Sequence, residues 1–303
     1  MRGLVEYLAM EDGRKRVLVP DYICNVVHKA CSDAGLSVSE YPTDENLMPL
    51  WEDLGELLKE DENTILIVTS MMGACPVLSD GMVELENAHP ELFVISDECQ
   101  NLVSQSPVLL RSNRAIVFSF NDKTCPGLMG GGVVCLDNML LKPQHHSIQN
   151  SVKVTLSFLC AMLKRLSKDL CLMIRLLTSR NSLYSVPDGY EFSECTSAHY
   201  NTCPEAINKI SAAYAMLNLR NLSRFEQIRK NNYASVCEYA RQLPPEHTSV
   251  PAFLIIGTGE ELSACYPAPV KAPYAMNCNR DETSKGLYAL KLNNPYVRYK
   301  EYE

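Results

Sequence analysis

The stretch from Phe93 to Leu136 constrains the fold more than any other part of the chain, because its apolar runs each end in polar residues. Phe93 to Ile95 is short and bulky, and it is closed by Asp97. Ala115 to Phe120 is a second such run, and Lys123 follows it. Runs of this kind are typical of buried parallel strands. Open α/β sheets bind ligands at the carboxyl ends of their strands, so an acid and a lysine at these positions indicate a site.

The chemistry that uses one buried acid and one lysine at such a place is narrow. A lysine amine forms a Schiff base with an aldehyde cofactor when burial or neighbouring groups lower its pKa. An acid beneath a pyridine ring keeps the ring nitrogen protonated, so that the ring accepts electrons. The plainer interpretation stays open at this point, with Asp97 as a helix cap and Lys123 as a solvated loop residue.

Strand-like and helix-like segments alternate along the first part of the chain. Amphipathic, helix-like segments cover Tyr22 to Ala34, which stops at Gly35, and Leu50 to Leu58, and a third closes near His89. The predicted strands are Val17–Pro20, Ser37–Tyr41, Thr64–Thr69, Phe93–Ile95, Ala115–Phe120 and Val133–Leu136. This alternation predicts an α/β fold with a mostly parallel central sheet and helices on both faces.

The predicted organisation is one large α/β domain followed by a small one. The large domain covers residues 1–244 and includes linker helices between 145 and 243. A small C-terminal α+β domain covers residues 245–303, after Pro244-Pro245, and Ala252 to Ile256 is its predicted strand.

Composition excludes several classes of protein. The net charge of −8 argues against broad binding to a nucleic-acid backbone. The 13 cysteines are scattered and contain no C-x-x-C pair, which favours buried thiols in a reducing cytoplasm over disulfides or a zinc ribbon. No segment has the apolar length of a signal peptide or a membrane span, so no membrane insertion is expected.

The residues around Asp97 and Lys123 resemble a known family. Asp97-Glu98-Cys99-Gln100, Phe118 to Lys123 and the run Gly130-Gly131-Gly132 are similar to the motifs of the DegT/DnrJ/EryC1/StrS aminotransferases, fold-type I enzymes that use pyridoxal 5′-phosphate (PLP). The resemblance implies that Lys123 forms the Schiff base and that Asp97 pairs with the pyridine nitrogen. It also implies that Gln100 lies near the phenolic oxygen of the cofactor and Ser119 near its phosphate.

The resemblance extends to both sides of this segment. It covers roughly Lys15 to Cys135 and Tyr200 to Leu243, and the second part is similar to the family's long interdomain helix. It implies that Ser70 approaches the cofactor, although a serine at a strand end is also an ordinary cap. It places Cys24, with Tyr22 two residues away, where the family has an aromatic cover for the ring, and leaves open which of them takes that role.

Two departures concern the phosphate site. The chain begins with Met1 to Leu4 at about the place of the family's Ser-Gly-Thr or Ser-Gly-Arg turn, so half of the phosphate cup has no counterpart. A natural short form, a truncated chain and a decayed copy all explain this. Family members carry Asn-x-Arg where this chain has Asn201 and Cys203, and the lost guanidinium removes a bidentate phosphate contact.

The resemblance implies amino transfer from an amino-acid donor to a keto sugar or similar carbonyl compound, in a homodimer whose Asn201 reaches the partner's site. Sugar dehydratases of the same family replace the lysine by histidine, so Lys123 argues against that branch. The alternative is a catalytically degenerate protein of the same fold that acts as a binding or assembly partner. The missing turn, Cys203 and the short C-terminal domain favour this alternative.

The segment from Lys142 to Arg180 has little counterpart in the family motif. Its apolar residues recur at helical spacing, with lysine and arginine interspersed. A basic amphipathic helix can lie on a membrane surface. A domain-bridging or dimer-contact helix is the favoured interpretation.

Overall fold

The structure, a computed structural model, contains a six-stranded sheet and a separate three-stranded sheet. It describes residues 1–10, 12–44, 46–59, 63–71, 74–101, 111, 113–119, 131–135, 156, 159–160, 163, 166–167, 170, 209–234, 253–255, 270–271 and 288–291.

The large sheet has the strand order β2-β1-β3-β4-β5-β6. Its strands are β1 (Arg16–Pro20), β2 (Ser37–Tyr41), β3 (Thr64–Thr69), β4 (Phe93–Asp97), β5 (Arg114–Ser119) and β6 (Gly131–Cys135). The pairs from β2 to β5 are parallel, whereas β6 runs antiparallel to β5. The predicted mostly parallel α/β sheet is therefore confirmed.

Four helices pack on this sheet or beside it. They are α1 (Arg2–Met10), α2 (Asn25–Asp33), α3 (Trp51–Leu58) and α4 (Asp80–Ala88), and a short 3-10 turn at Pro76–Leu78 precedes α4. The helix α2 ends as its sequence predicts, because Gly35 has a φ of +79°, a left-handed conformation that glycine adopts without strain. Ser79 caps α4 by accepting a hydrogen bond from the amide of Met82.

Alternation of side chains along the strands divides the core into two layers. On one face, which we call the α1–α2 face, the buried residues include Val17, Val19, Ile65, Ile67, Phe93, Ile95, Ala115 and Val117, with Leu4, Val5 and Leu8 of α1 and Val27 and Ala30 of α2. On the other, the α3–α4 face, they include Leu18, Leu66, Val68, Val94 and Ile116, with Leu54 and Leu58 of α3 and Met82 and Leu85 of α4.

The antiparallel edge strand changes the interpretation of the glycine run. Gly131 and Gly132 are the first residues of β6, where they pair with Ser119 and Phe118 of β5. Both ends of the connection that spans residues 120–130 therefore lie at the carboxyl end of β5. Parallel strands need a crossover of a dozen or more residues, so a connection of this length favours the antiparallel pairing.

Two helices follow in the range that resembles one long family helix: α5 (Lys209–Leu219) and α6 (Leu222–Ala234). The break has a local cause at Asn221, whose side-chain amide donates to the carbonyl of Leu217 at 3.1 Å. The carbonyl of Asn221 accepts from the amide of Arg224, which starts the next helix. Ala215 and Leu222 are buried together, and the partly buried Phe118 of β5 packs against them.

The second sheet lies within the range predicted as the small domain. Its strands β7 (Phe253–Ile255), β8 (Val270–Lys271) and β9 (Tyr288–Lys291) are antiparallel, in the order β7-β9-β8. The domain boundary at residues 244 and 245 lies outside the described residues and stays a prediction.

Five cysteines of the described residues are free thiols: Cys24, Cys31, Cys75, Cys99 and Cys160. Burial raises the pKa of the Cys31 and Cys75 thiols to about 12. Both therefore stay protonated and poorly nucleophilic near neutral pH.

Candidate functional site

The carboxyl ends of β3, β4 and β5 bring three polar residues to one face of the sheet. Thr69 pairs with Asp97 in the register of β3 and β4, and Asp97 pairs with Val117 in that of β4 and β5. Val117 and Ile95 belong to the core of the α1–α2 face. Because side chains alternate along a strand, Thr69, Asp97 and Ser119 project from that same face, beyond its apolar layer.

Asp97 is a buried acid with an incomplete set of partners. It is 5% exposed, and its Oδ1 atom accepts a hydrogen bond from the amide of Cys99 at 3.0 Å. Within the described residues, Oδ2 receives no hydrogen bond from a side chain or from the backbone. A carboxylate oxygen with no protein donor, on a side chain that is otherwise buried, is available to accept from a ligand N–H group.

Thr69 adds a second incomplete group beside Asp97. Its Oγ1 atom is buried and has no hydrogen-bond partner in the described part of the structure. Most buried polar side-chain atoms in proteins are hydrogen-bonded, so each exception calls for an explanation. Thr69 and Asp97 occupy paired positions of adjacent strands and together form a candidate site for a polar ligand.

Gln100 lies in the turn that follows Asp97 and is 5% exposed. The amide of Asn101, the next residue, donates to the carbonyl of Glu98, and this bond closes the turn. Gln100 is thus a buried residue of the turn that directly follows β4. Their relation to a ligand stays a prediction.

Ser119, the third residue of the cluster, is half-buried at the end of β5. Its partner across the antiparallel pair is Gly131, which has no side chain. The β6 strand therefore contributes no side chain next to Ser119. Whether Ser119 contacts a ligand phosphate stays a prediction.

The next residue, Glu98, is a buried acid to which the sequence motif gives no role. It is 1% exposed, and its hydrogen bond to Ser96, which lies on the same face of β4 as Val94, places its carboxylate on the α3–α4 side. Its Oε1 atom accepts from the hydroxyls of Ser70 at 2.7 Å and Ser96 at 2.6 Å, and its Oε2 atom accepts from the Asn101 side chain at 3.1 Å. Burial raises the pKa of Glu98, and the three hydrogen bonds oppose that shift.

The Glu98 cluster also contains a predicted site residue, Ser70. Its hydroxyl donates to Glu98 and lies 3.7 Å from the sulfur of Cys75, and its amide donates to the carbonyl of Asp97 at 3.0 Å. The structure thus brings Ser70 to the same sheet edge as Asp97 but uses its hydroxyl on the opposite side. Its approach to a cofactor remains a prediction.

Two of the predicted site residues, Lys123 and Asn201, lie outside the described residues, as does Cys203. The two suggested ring-covering residues are described: Tyr22 is buried and Cys24 is half-buried, between β1 and the start of α2.

The start of α1 lies away from Asp97. The Arg2 side chain donates to Glu6 at 2.7 Å and lies 3.5 Å from a carboxylate oxygen of Asp33, the last residue of α2. Because α2 starts after the carboxyl end of β1 and leads to the start of β2, Asp33 lies toward the opposite edge of the sheet. Arg2 is therefore engaged by acids away from the proposed ligand.

The chain is similar to known proteins in its structure, whereas the comparisons of its sequence find no match. No family model and no curated protein match the chain. Among solved structures, GDP-4-keto-6-deoxy-D-mannose-3-dehydratase of E. coli with bound hydrated PLP matches with a TM-score of 0.59 at 15% identity, over 98% of this chain and 81% of its own. DesV of S. venezuelae, in complex with a ketimine intermediate, matches with a TM-score of 0.57 at 16% identity, over 97% and 79%.

A DegT DnrJ EryC1 StrS aminotransferase from Brucella abortus is similar to the same degree, with a TM-score of 0.57 at 13% identity, over 98% of this chain and 79% of its own. These are fold-type I PLP enzymes, so the fold class expected from the resemblance is confirmed. The structural likeness is to the same family that the motifs resemble. At identities this low it shows the fold.

Proposed function

We propose that this protein is a PLP-dependent aminotransferase that moves an amino group from an amino-acid donor to a keto sugar or a similar carbonyl compound. The observation that carries the proposal is Asp97, a buried acid with an open oxygen at the carboxyl end of β4, in a fold shared with PLP enzymes. The motif residues and the incomplete Thr69 hydroxyl support it.

The described residues fit the cofactor. When bound, PLP supplies a conjugated ring that accepts electrons from a substrate carbon. The open Oδ2 atom of Asp97 suits a protonated ring nitrogen, because a buried carboxylate favours a cationic partner. Thr69 offers a hydroxyl at the same level of the sheet. Gln100 suits the phenolic oxygen of the ring, and Ser119 beside Gly131 suits the phosphate.

The covalent chain keeps Lys123 within reach of this cluster. Lys123 is the fourth residue after Ser119, and a fully extended segment of that length spans about 14 Å at most. A lysine side chain adds further reach of its own. We assign to Lys123 the covalent attachment of the cofactor and, when its amine is free, the transfer of a proton as general base.

Lys123, the residue proposed to attach the cofactor, favours amino transfer over dehydration. Solved structures similar to this chain include both aminotransferases and a dehydratase. Family dehydratases have a histidine where this chain has Lys123. A lysine at that position keeps both functions, attachment and proton transfer, available to the chain.

A second candidate function is a binding or assembly partner that keeps the fold without catalysis. The observations that favour it are specific: the Ser70 hydroxyl is engaged by Glu98, and the Arg2 guanidinium is engaged by Glu6 and Asp33. Cys203 in place of an arginine removes a further phosphate contact. A protein of this kind would bind PLP weakly or not at all.

Absorbance spectroscopy separates the two candidates. Mixed with PLP and freed of excess cofactor, an aminotransferase absorbs at roughly 410–430 nm, and sodium borohydride bleaches the band. We expect Lys123→Ala to abolish the band while the circular dichroism spectrum stays that of a folded protein. Lys59→Ala, which removes an exposed lysine on α3's C-terminal side, is the matched control and keeps the band.

Two outcomes contradict the proposal. A wild-type protein that shows no such band after saturation with PLP and removal of the excess supports the non-catalytic candidate. A Lys123→Ala variant that still shows a borohydride-sensitive band assigns the attachment to another lysine.

A further inference from the structure

The Glu98 carboxylate joins three parts of the chain on the α3–α4 side of the sheet. Its Oε1 atom accepts from the hydroxyl of Ser70, which directly follows β3, and from that of Ser96 on β4. Its Oε2 atom accepts from the side chain of Asn101, the last residue of the turn that spans residues 98–101. One carboxylate thus ties two adjacent strands to the turn that follows β4.

Backbone hydrogen bonds hold the same turn to the strands on both sides of it. The amide of Glu98 donates to the carbonyl of Val117 on β5 at 2.8 Å. The amide of Ser70 donates to the carbonyl of Asp97 at 3.0 Å. Asp97 is therefore held from one side through the backbone of Ser70 and from the other through that of its neighbour Glu98.

The side-chain network is costly for a buried place, which indicates that it serves geometry. Ser70, Ser96, Glu98 and Asn101 are each 5% exposed or less. Burial of a carboxylate carries a desolvation penalty, and apolar side chains of similar volume are often at least as stable in its place. Apolar contacts have no preferred direction, whereas hydrogen bonds have preferred distances and angles. What the network adds to this strand end is a defined orientation.

The turn carries the two residues that the proposed function directs at the cofactor. The Oδ1 atom of Asp97 accepts from the amide of Cys99 within the turn, so the direction of its Oδ2 atom depends on the conformation of the turn. Gln100 is buried in the same turn. A change in the conformation of residues 98–101 would therefore move both.

We propose that Glu98 is a positioning residue for the cofactor site. It holds the turn from the α3–α4 side, so that Asp97 and Gln100 keep the orientation that the ligand requires on the opposite side. Ser70 acts in the same way, through Glu98 and not by contact with the ligand. This inference rests on the proposed function, because a bound cofactor gives the orientation of Asp97 a consequence beyond folding.

The plainer alternative is a polar network that contributes to folding alone, and a second buried acid provides the comparison. Glu86 of α4 is 5% exposed and pairs with Arg114, the first residue of β5. Because β4 and β5 are parallel, the start of β5 lies at the opposite edge of the sheet from the carboxyl end of β4. Replacement of either acid should lower stability, but only replacement of Glu98 should lower the affinity for the cofactor.

Equilibrium dialysis of the full chain against PLP tests the proposal, because it measures affinity without reference to colour or turnover. We expect Glu98→Met, which is close in size but accepts no hydrogen bond, to weaken PLP binding by at least roughly tenfold. Glu98→Gln keeps a carbonyl oxygen as acceptor and should bind within roughly threefold of the wild type. Glu86→Gln, the control at the opposite edge, should bind PLP as the wild type does. Urea denaturation checks that each variant is folded.

A double-mutant cycle tests whether Ser70 acts through Glu98. We expect Ser70→Ala alone to weaken PLP binding by roughly threefold, since it removes one of the three donors to Glu98. Added to Glu98→Met, it should weaken binding no further, because the serine hydroxyl has then already lost its acceptor. If the two effects multiply, Ser70 has a contact of its own with the ligand and the shared role is wrong.

The outcomes separate this inference from the proposed function. A folded Glu98→Met variant that binds PLP as tightly as the wild type overturns the positioning role alone. So does a Glu98→Gln variant as weak as Glu98→Met, because it assigns the effect to charge. If Glu98→Met does not fold, an unchanged affinity in Ser70→Ala overturns the role instead.

Two further results concern the function itself. A wild type that binds PLP without a borohydride-sensitive band contradicts amino transfer, while a weakened Glu98→Met variant still supports the positioning role. A wild type that retains no PLP overturns both proposals.

Discussion

Asp97 and Glu98 are adjacent acids with opposite environments, and the contrast shows how one strand end serves both a ligand and the fold. Glu98 accepts three side-chain hydrogen bonds from Ser70, Ser96 and Asn101. Asp97 accepts one backbone hydrogen bond and keeps an oxygen open within the described residues. Because successive side chains leave a strand on opposite faces, the closed acid braces β3 against β4 while the open one faces the proposed cofactor.

The largest expected effect is a loss of activity when Asp97 is replaced. Asp97→Asn should slow turnover by at least roughly a hundredfold, because an amide does not keep a ring nitrogen protonated. The same change should alter the free energy of unfolding by less than about 0.5 kcal/mol, since an amide oxygen still accepts from Cys99. Steady-state kinetics and urea denaturation measure the two quantities. Near-normal turnover would remove Asp97 from the site.

The next largest effect is a loss of stability, which we expect when Glu98 is replaced. Glu98→Ala leaves three buried donors without an acceptor, so we expect a loss of about 3 kcal/mol in the free energy of unfolding. Thr69→Val is the matched control on the neighbouring strand, because the Thr69 hydroxyl has no hydrogen bond to lose in the described structure. Urea denaturation should find Thr69→Val as stable as the wild type. Equal losses in the two variants would show that the Glu98 hydrogen bonds contribute little.

The smallest expected effect is a pH dependence of stability that comes from Glu98. Burial raises the pKa of Glu98 above its ordinary value of 4.5, so the folded protein keeps a proton that the unfolded chain has lost. The stability that Glu98 contributes is complete below 4.5 and is lost as the pH rises through the folded value. Glutamine does not titrate, so the free energy of unfolding of wild type minus that of Glu98→Gln should fall as the pH increases.

Denaturation at a series of pH values above 4.5 measures this difference. Its slope cannot exceed about 1.4 kcal/mol per pH unit for one group. A difference that stays constant with pH would mean that Glu98 titrates at the same pH in the folded and unfolded chain.

The sequence predicts local elements well where a single period decides them. Ser37–Tyr41 and Thr64–Thr69 are strands with the predicted bounds, and the helix before Gly35 ends where the glycine requires. The direction of β6 was not predictable from its residues, because direction depends on how the preceding connection returns. The break at Asn221 depends on one side-chain hydrogen bond within an otherwise helical sequence.

The candidate site was predictable only in part, for a related reason. A motif places Asp97 at a strand end, but it does not state which partners its oxygens find. Glu98 is next to Asp97 in sequence, and Thr69 is next to it in the sheet. Their roles follow from the alternation of side chains and from the strand register, which the motif does not contain. Side chains alternate between the two faces of a sheet, and this alternation can be extended past the end of β4. Applied to the sequence, it predicts that Asp97 and Glu98 lie on opposite faces.

The antiparallel pairing of Ser119 with Gly131 has a consequence for how such a protein can change over evolutionary time. The segment that carries Lys123 is pinned at both ends to neighbouring positions of one hairpin-like pair. Lengthening a pinned loop is cheap, since each doubling of its length costs only about 0.6 kcal/mol of closure entropy. Insertions and deletions there would leave the register of β5 and β6 untouched. The connection between these two strands can thus change in length, while Asp97 is fixed inside the sheet.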